Sequence, residues 1–219
     1  MGLGTRLLGG PYGHADDGSG GHIVHPRLYE AFAAVGFAGR RRKVYDGLVA
    51  LSGAGPGDRV LDVGCGTGYL SRRVAAAVGA SGQVVGVDPS PSVVEYARTV
   101  SPPWCSFQIA GGEHIPQSDA TFDVAVSSLA VHHVPPELRA QLLAEMYRLL
   151  RPAGLLMIAD FRPPHGRVAC HIVAGLSGHA MSANPIGELE GLITAAGFEV
   201  IGSGDRWPSL RYVQARRPG

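Results

Sequence analysis

The sequence predicts an α/β fold, a Rossmann-like and mainly parallel sheet with helices on both faces, and three observations carry that prediction. Short apolar runs rich in valine alternate with longer helical patterns between residues 59 and 160. Such alternation marks strand–helix–strand units, because parallel neighbours need a crossover helix. The first run, residues 60–69 (VLDVGCGTGY), passes through Asp62 into glycines at 64, 66 and 68. The second, residues 84–90 (VVGVDPS), ends on an acidic residue, Asp88.

Taken in order, residues 1–22 are rich in glycine and polar side chains without a period, and read as a mobile arm or lid that orders on binding. Helical spacing begins near His25, and Tyr29, Phe32, Phe37, Val44, Leu48 and Leu51 predict two or three short helices before a turn at residues 53–58. The expected order is then strand 59–63, helix 67–78, strand 83–87, helix 91–99, strand 105–110, strand 123–127, helix 136–150 and strand 155–160. The helix over 136–150 has the clearest stripe, Leu138, Leu142, Met146 and Leu149, with Pro152 and Gly154 as stop signals. A helix over 186–196 stops at Gly197, and strands 198–202 and 210–215 close the chain. The 219 residues fit one domain: the arm 1–22, a helical cap 23–57 and a Rossmann-like core 58–219.

Composition narrows the function. A formal charge of +1 provides no field for nucleic acid or an anionic membrane, and the basic run at residues 40–43 reads as a solvated helix end. Three scattered cysteines, Cys65, Cys105 and Cys170, make no disulfide framework and fit a reducing cytoplasm. No apolar stretch approaches the ~18 residues of a membrane span. The partner expected is therefore a small molecule.

Glycines at 64, 66 and 68 permit positive φ and let a ligand lie against the main chain, which suits a nucleoside-bearing cofactor. A dinucleotide fingerprint would place its third glycine at position 69, where the chain has Tyr69, so an oxidoreductase reading is weakened. Asp88, about 20 residues beyond the loop, suits a ribose diol, since a carboxylate accepts from both hydroxyls. Isolated aspartates at strand ends are otherwise turn formers.

These strings resemble the first two motifs of the class I S-adenosylmethionine-dependent methyltransferases. FDVAVSSLAVHHV (122–134), EMYRLLRPAG (145–154) and Ala196-Gly197-Phe198 are similar to strings of the ubiquinone and menaquinone methyltransferase-like group. The resemblance implies a seven-stranded sheet with its last strand antiparallel, S-adenosyl-L-methionine as cofactor, and methyl transfer to a small-molecule oxygen, nitrogen or carbon. It assigns cofactor contacts to Asp62, Gly64, Cys65, Gly66 and Gly68, to Asp88 and Pro89, to Gly111, Gly112 and Glu113, to Ser127, and to Tyr29 in the cap. In the family the segment after the third strand carries an aspartate that accepts from the adenine amino group; here Gly111 stands in its place, with Glu113 or a water left to take that role. One of Arg40, Arg41 and Arg42 is expected, like Tyr29, at the methionine end, where phenol and guanidinium are suitable carboxylate donors.

Ser127, Ser128 and Leu129 end the fourth strand, where the acceptor must meet the cofactor, and neither a D-P-P-Y string nor a Pro-Cys nucleophile is there. Pro102-Pro103-Trp104-Cys105 precedes the third strand, so Cys105 reads as a core thiol. His132 and His133 border the expected transfer site. His132 is the candidate general base, against a structural role for either histidine in the loop. His165, Cys170, His171 and His179 match no zinc spacing, and no metal is expected. A binding protein without transfer activity is the alternative of another class.

Overall fold

The structure, a computed structural model, describes residues 37–162 and 185–219 together with 12–13, 22–23, 26–27, 30 and 33–34. Seven strands form one sheet: β1 (Arg59–Val63), β2 (Gln83–Asp88), β3 (Cys105–Ile109), β4 (Phe122–Ser128), β5 (Leu150–Phe161), β6 (Glu199–Arg206) and β7 (Leu210–Arg216). Their spatial order is β3-β2-β1-β4-β5-β7-β6. The first five pair in parallel, and β7 runs antiparallel to both β5 and β6. The predicted Rossmann-like sheet with an antiparallel last strand is therefore the observed one. Tyr12–Gly13 and His22–Ile23 form a separate two-stranded pair.

Valine-rich runs become central strands because β1, β2, β4 and β5 are covered on both faces, which favours continuous apolar sequence over alternation with polar residues. The period of two still sorts the side chains. Val60, Val84, Val124, Val126 and Met157 face α1 (Arg41–Ser52) and α2 (Tyr69–Val78), packing with Leu48, Val74 and Val78. Leu61, Val63, Val85, Ala125 and Ile158 face α4 (Arg139–Leu149) and α5 (Leu189–Ala195), packing with Leu142, Leu143, Met146 and Leu189. Each such aliphatic side chain contributes roughly 1.5–3 kcal/mol by leaving water. On the outer flank, α3 (Pro91–Val100) presents Val94 and Ala97 to Cys65 and Phe107.

Two of the boundary differences from the sequence reading bear on the site. The helix expected from 136 begins at Arg139, because Pro136–Leu138 form a 3₁₀ turn first. At its other end α4 stops at Leu149, and β5 starts at Leu150 with no residue between. Pro152 and Gly154 thus lie within the strand, and not in a loop after the helix. The exposed carbonyls of the last helical turn gain a donor from far away: Arg217 Nη1 reaches Tyr147 O at 3.0 Å and Arg148 O at 3.3 Å.

Candidate active site

The carboxyl ends of β1, β2 and β4 open into a cavity of about 260 Å3. It lies where the chain order reverses beside β1, the position at which open α/β sheets bind ligands.

The loop after β1 builds the floor. Gly64 and Cys65 both donate their N–H groups to Val87 O, at 2.8 and 3.0 Å, which ties the loop to β2. Gly64, Gly66 and Gly68 all have left-handed φ, of 72°, 50° and 75°. Their reasons differ. A Cβ on Gly64 would collide with the Ala130 methyl, and one on Gly68 would come within 3.1 Å of Ala97 and the Phe107 ring. A Cβ on Gly66 would meet nothing within 4 Å, and Gly66 borders the cavity. Only at Gly66, then, does the missing side chain leave open room at the cavity itself. The Cys65 side chain points into the core beside Val94, Ala97 and Phe107, and burial pushes its thiol well above the usual range. Only as part of the loop does it border the cavity.

Asp88 ends β2 and binds both halves of the floor: Oδ2 accepts from Gly66 N–H and Oδ1 from Ser90 N–H, each at 2.9 Å. Pro89 lies between these contacts on the cavity wall. Asp62, by contrast, is 1% exposed and accepts from Ser71 Oγ at 2.5 Å, holding α2 to β1. Burial raises its carboxyl to about 7, with a further push from Asp88 and an opposing one from Ser71.

After β3, Gly111, Gly112 and Glu113 line the next stretch of wall. A Cβ at Gly111 would strike the Glu113 carboxylate, which therefore lies where a side chain at position 111 would begin. Gly112 is required by packing, since a Cβ there would collide with Leu142 and come within 2.9 Å of Val63.

At the end of β4 the two serines part. Ser127 Oγ donates to Val63 O at 2.8 Å and fastens β4 to β1. Ser128 Oγ is buried with no hydrogen-bond partner among the described residues, and Ser128 lines the cavity. A buried hydroxyl left unmatched costs about 1–3 kcal/mol, which a polar ligand atom would offset. Leu129 follows in the left-handed region at φ 56°, strain that a non-glycine residue tolerates mainly at functional sites.

The 3₁₀ turn Val131–His133 places its two histidines differently. His132 is drawn away from the cavity wall: its backbone N–H donates to Asp160 Oδ2 at 3.0 Å, and Nδ1 lies 2.6 Å from Oδ1 of the same, 1% exposed carboxylate. His133 lines the cavity instead, its ring 3.9 Å from that of His132. Burial, with His132 adjacent, depresses the His133 imidazole to about 4, so it is neutral at physiological pH. Asp160 ends β5 as Asp62 and Asp88 stand at or near the ends of β1 and β2, a signal present in the sequence but not used there.

The remaining side of the cavity comes from α1. Of the basic run, Arg42 is exposed while Arg41 is 6% exposed and lines the cavity. Its guanidinium lies 3.6 Å from the Tyr69 ring centroid, so the residue that breaks the dinucleotide fingerprint forms part of this wall. Arg41 is paired with Glu30 at 2.7 Å. Tyr29 lies outside the described residues, as do His165, Cys170, His171 and His179; among the described residues no three metal-ligating side chains gather.

Residues 60–154 match the family model described as a methyltransferase domain. With the sheet order and the glycine loop, this likens the chain to the class I S-adenosylmethionine-dependent methyltransferases, whose cofactor is S-adenosylmethionine. Within that class the sequence is similar to the ubiquinone and menaquinone methyltransferase-like group. It is 34% identical over 144 residues to a demethylmenaquinone methyltransferase of Symbiobacterium thermophilum, covering 64% of this chain and 57% of that protein. It is 32% identical over 148 residues to a ubiquinone/menaquinone biosynthesis C-methyltransferase of Citrifermentans bemidjiense, covering 64% of this chain and 61% of that protein. The chain thus spans about three fifths of the length of these curated relatives. In fold it is similar to the crystal structure of a methyltransferase from Aquifex aeolicus, with TM-score 0.70 at 20% identity over 88% of this chain and 98% of that one. No helix among the described residues is long and apolar enough to cross a membrane.

Proposed function

We propose that the protein transfers a methyl group from S-adenosylmethionine to a carbon of a small-molecule acceptor of the hydroquinone kind. The observation that carries the reading is one cavity with two unlike ends: Asp88 and the open Gly66 at the first, and Ser128, His133 and an apolar wall of Val131, Val134 and Leu138 at the other. The C-methyltransferase relatives support carbon as the methylated atom.

The residues present fit the cofactor. Asp88 lies on the cavity wall and accepts two backbone N–H groups, and a carboxylate is the acceptor a ribose diol calls for. Gly66 gives room for the nucleoside, Glu113 stands ready for the adenine amino group, and Arg41 for the carboxylate at the methionine end. When bound, S-adenosylmethionine supplies a methyl group activated by its sulfonium. The chain supplies alignment and exclusion of water. Ser128 and His133 offer hydrogen bonds to a hydroxyl on the acceptor ring. With its imidazole depressed to about 4, His133 orients the acceptor and is a poor proton acceptor at neutral pH, since a general base works best near the operating pH. His132 acts behind it, fixing the turn through Asp160.

Calorimetry with S-adenosylhomocysteine and methyl transfer from labelled S-adenosylmethionine to demethylated naphthohydroquinones test this. Asp88→Ala should lose roughly 1.5–3 kcal/mol of binding for each charged hydrogen bond removed. His133→Ala should lower turnover, and the wild-type profile should show no titration of His133 between pH 5 and 8. Binding of NADH in preference to S-adenosylhomocysteine would sink the reading. A second reading, binding without transfer, is favoured by Gly111 in place of the family aspartate; tight S-adenosylhomocysteine binding without turnover on an acceptor panel would select it.

A further inference from the structure

Glu30 belongs to no sequence motif, yet the glycine-loop end of the cavity is assembled around its carboxylate. Oε2 accepts from Arg41 Nη1 at 2.7 Å and Oε1 from Arg41 Nη2 at 3.1 Å, a bidentate pair. Oε1 also accepts from the hydroxyl of Thr67, a residue of the glycine loop itself. The Thr67 carbonyl in turn accepts from Arg72 Nη1 at 2.7 Å. Arg41 thus holds the Glu30 carboxylate directly, while Arg72 holds the loop through the Thr67 carbonyl. Arg41 and Thr67 line the cavity, whereas Glu30 is not on its wall. The Tyr69 ring under the guanidinium fixes the plane in which Arg41 can turn. Glu30 and Tyr69 together leave a long, flexible side chain with one orientation.

Resting on the reading of this cavity as the S-adenosylmethionine site, we propose that Glu30 is a positioning residue. It holds Arg41 so that the guanidinium N–H groups not directed at Glu30 face the carboxylate at the amino-acid end of the ligand. A guanidinium carries five N–H donors, so the pair with Glu30 does not exhaust it. The opposite relation, in which Glu30 competes with the ligand carboxylate for Arg41 and Thr67, predicts the opposite sign: removing the Glu30 charge would then tighten binding.

Calorimetry on the full chain separates these with two ligands. S-adenosylhomocysteine carries the amino acid, and 5′-methylthioadenosine has the same nucleoside and thioether without it. Glu30→Gln should weaken S-adenosylhomocysteine about tenfold, the scale of one charge-assisted contact, while 5′-methylthioadenosine stays within about twofold. Glu30→Asp should fall between Glu30→Gln and wild type. Equal losses on both ligands, with a lower melting temperature, would make Glu30 merely structural and overturn the proposal. So would unchanged affinity, or a gain. Wild-type protein that binds neither ligand, or both equally, would instead overturn the cofactor reading of the cavity on which the proposal stands.

Discussion

On the proposed cofactor reading, Glu113 replaces a lost side chain from two residues away. Gly111 occupies the place of an aspartate in the related family, and the Glu113 carboxylate lies against the Gly111 backbone, in the volume an aspartate would enter. The φ of Gly111 is not left-handed, so an added side chain there is opposed only by the flexible end of Glu113. Glu113→Gln should therefore weaken S-adenosylhomocysteine several-fold, consistent with about 1 kcal/mol for one hydrogen bond. Gly111→Asp alone should bring little gain, because the two carboxylates would crowd one site, and Gly111→Asp with Glu113→Gln should recover wild-type affinity. Calorimetry on the three variants decides: a full gain from Gly111→Asp alone would mean that Glu113 takes no part.

At the scale of the element, the glycine loop divides labour that its motif presents as uniform. Gly64 and Gly68 have left-handed φ and also lack room, because Ala130, Ala97 and Phe107 fill the space a Cβ would need. Gly66 has the φ and the room. Gly64→Ala should lower the melting temperature sharply, through a clash added to the ~1–2 kcal/mol of left-handed backbone strain. Gly66→Ala should cost only about that strain in stability while reducing S-adenosylhomocysteine affinity by a larger factor, since its methyl would project into open space at the cavity. Thermal melting and calorimetry on both variants check the division, and equal thermal losses would refute it. The motif announced a ligand loop because three glycines after a strand have few other uses. It could not announce which glycine has open room at the cavity, because Ala130 and Phe107 lie 66 and about 40 positions away, and only the folded sheet brings them to the loop.

For the molecule as a whole, the order of strands and helices was legible because each central strand is a short valine-rich run and each helix carries its own stripe. The junctions were not: α4 passes straight into β5, and Pro152 and Gly154 look like a loop unless the pairing of Leu150 with Phe122 is known. The cavity lining was legible where it is local, at Asp88, Gly64 and Gly66. Glu30 and Arg41 were missed as a pair because 11 positions separate them, with no period to connect the two. Asp62 gives the whole fold a pH dependence. Its carboxyl is raised to about 7 by burial, against 3.8 in an exposed chain, so the native state binds the proton more tightly than the unfolded one. Its contribution is full below about pH 4 and is lost as pH rises through 7. Melting temperatures of wild type and Asp62→Asn, followed from pH 5 to 8, should diverge: the variant, which cannot ionise, should lose less stability on the alkaline side. Parallel curves would show that Asp62 does not titrate in this window.

The direct junction of Leu149 with Leu150 has a mechanical consequence. A helix and a strand joined by a loop can slide past one another by small amounts, but here neither can shift without dragging the other. α4 carries Leu142 in its first turn, on the cavity wall, and β5 carries Asp160, the anchor of the histidine turn. The two sides of the acceptor end are therefore parts of a single lever, further pinned by Arg217 at the helix end. Widening the cavity for a bulky ring requires that lever to tilt as a unit, so the opening of α4 and β5 to solvent exchange should occur as one cooperative event and not residue by residue.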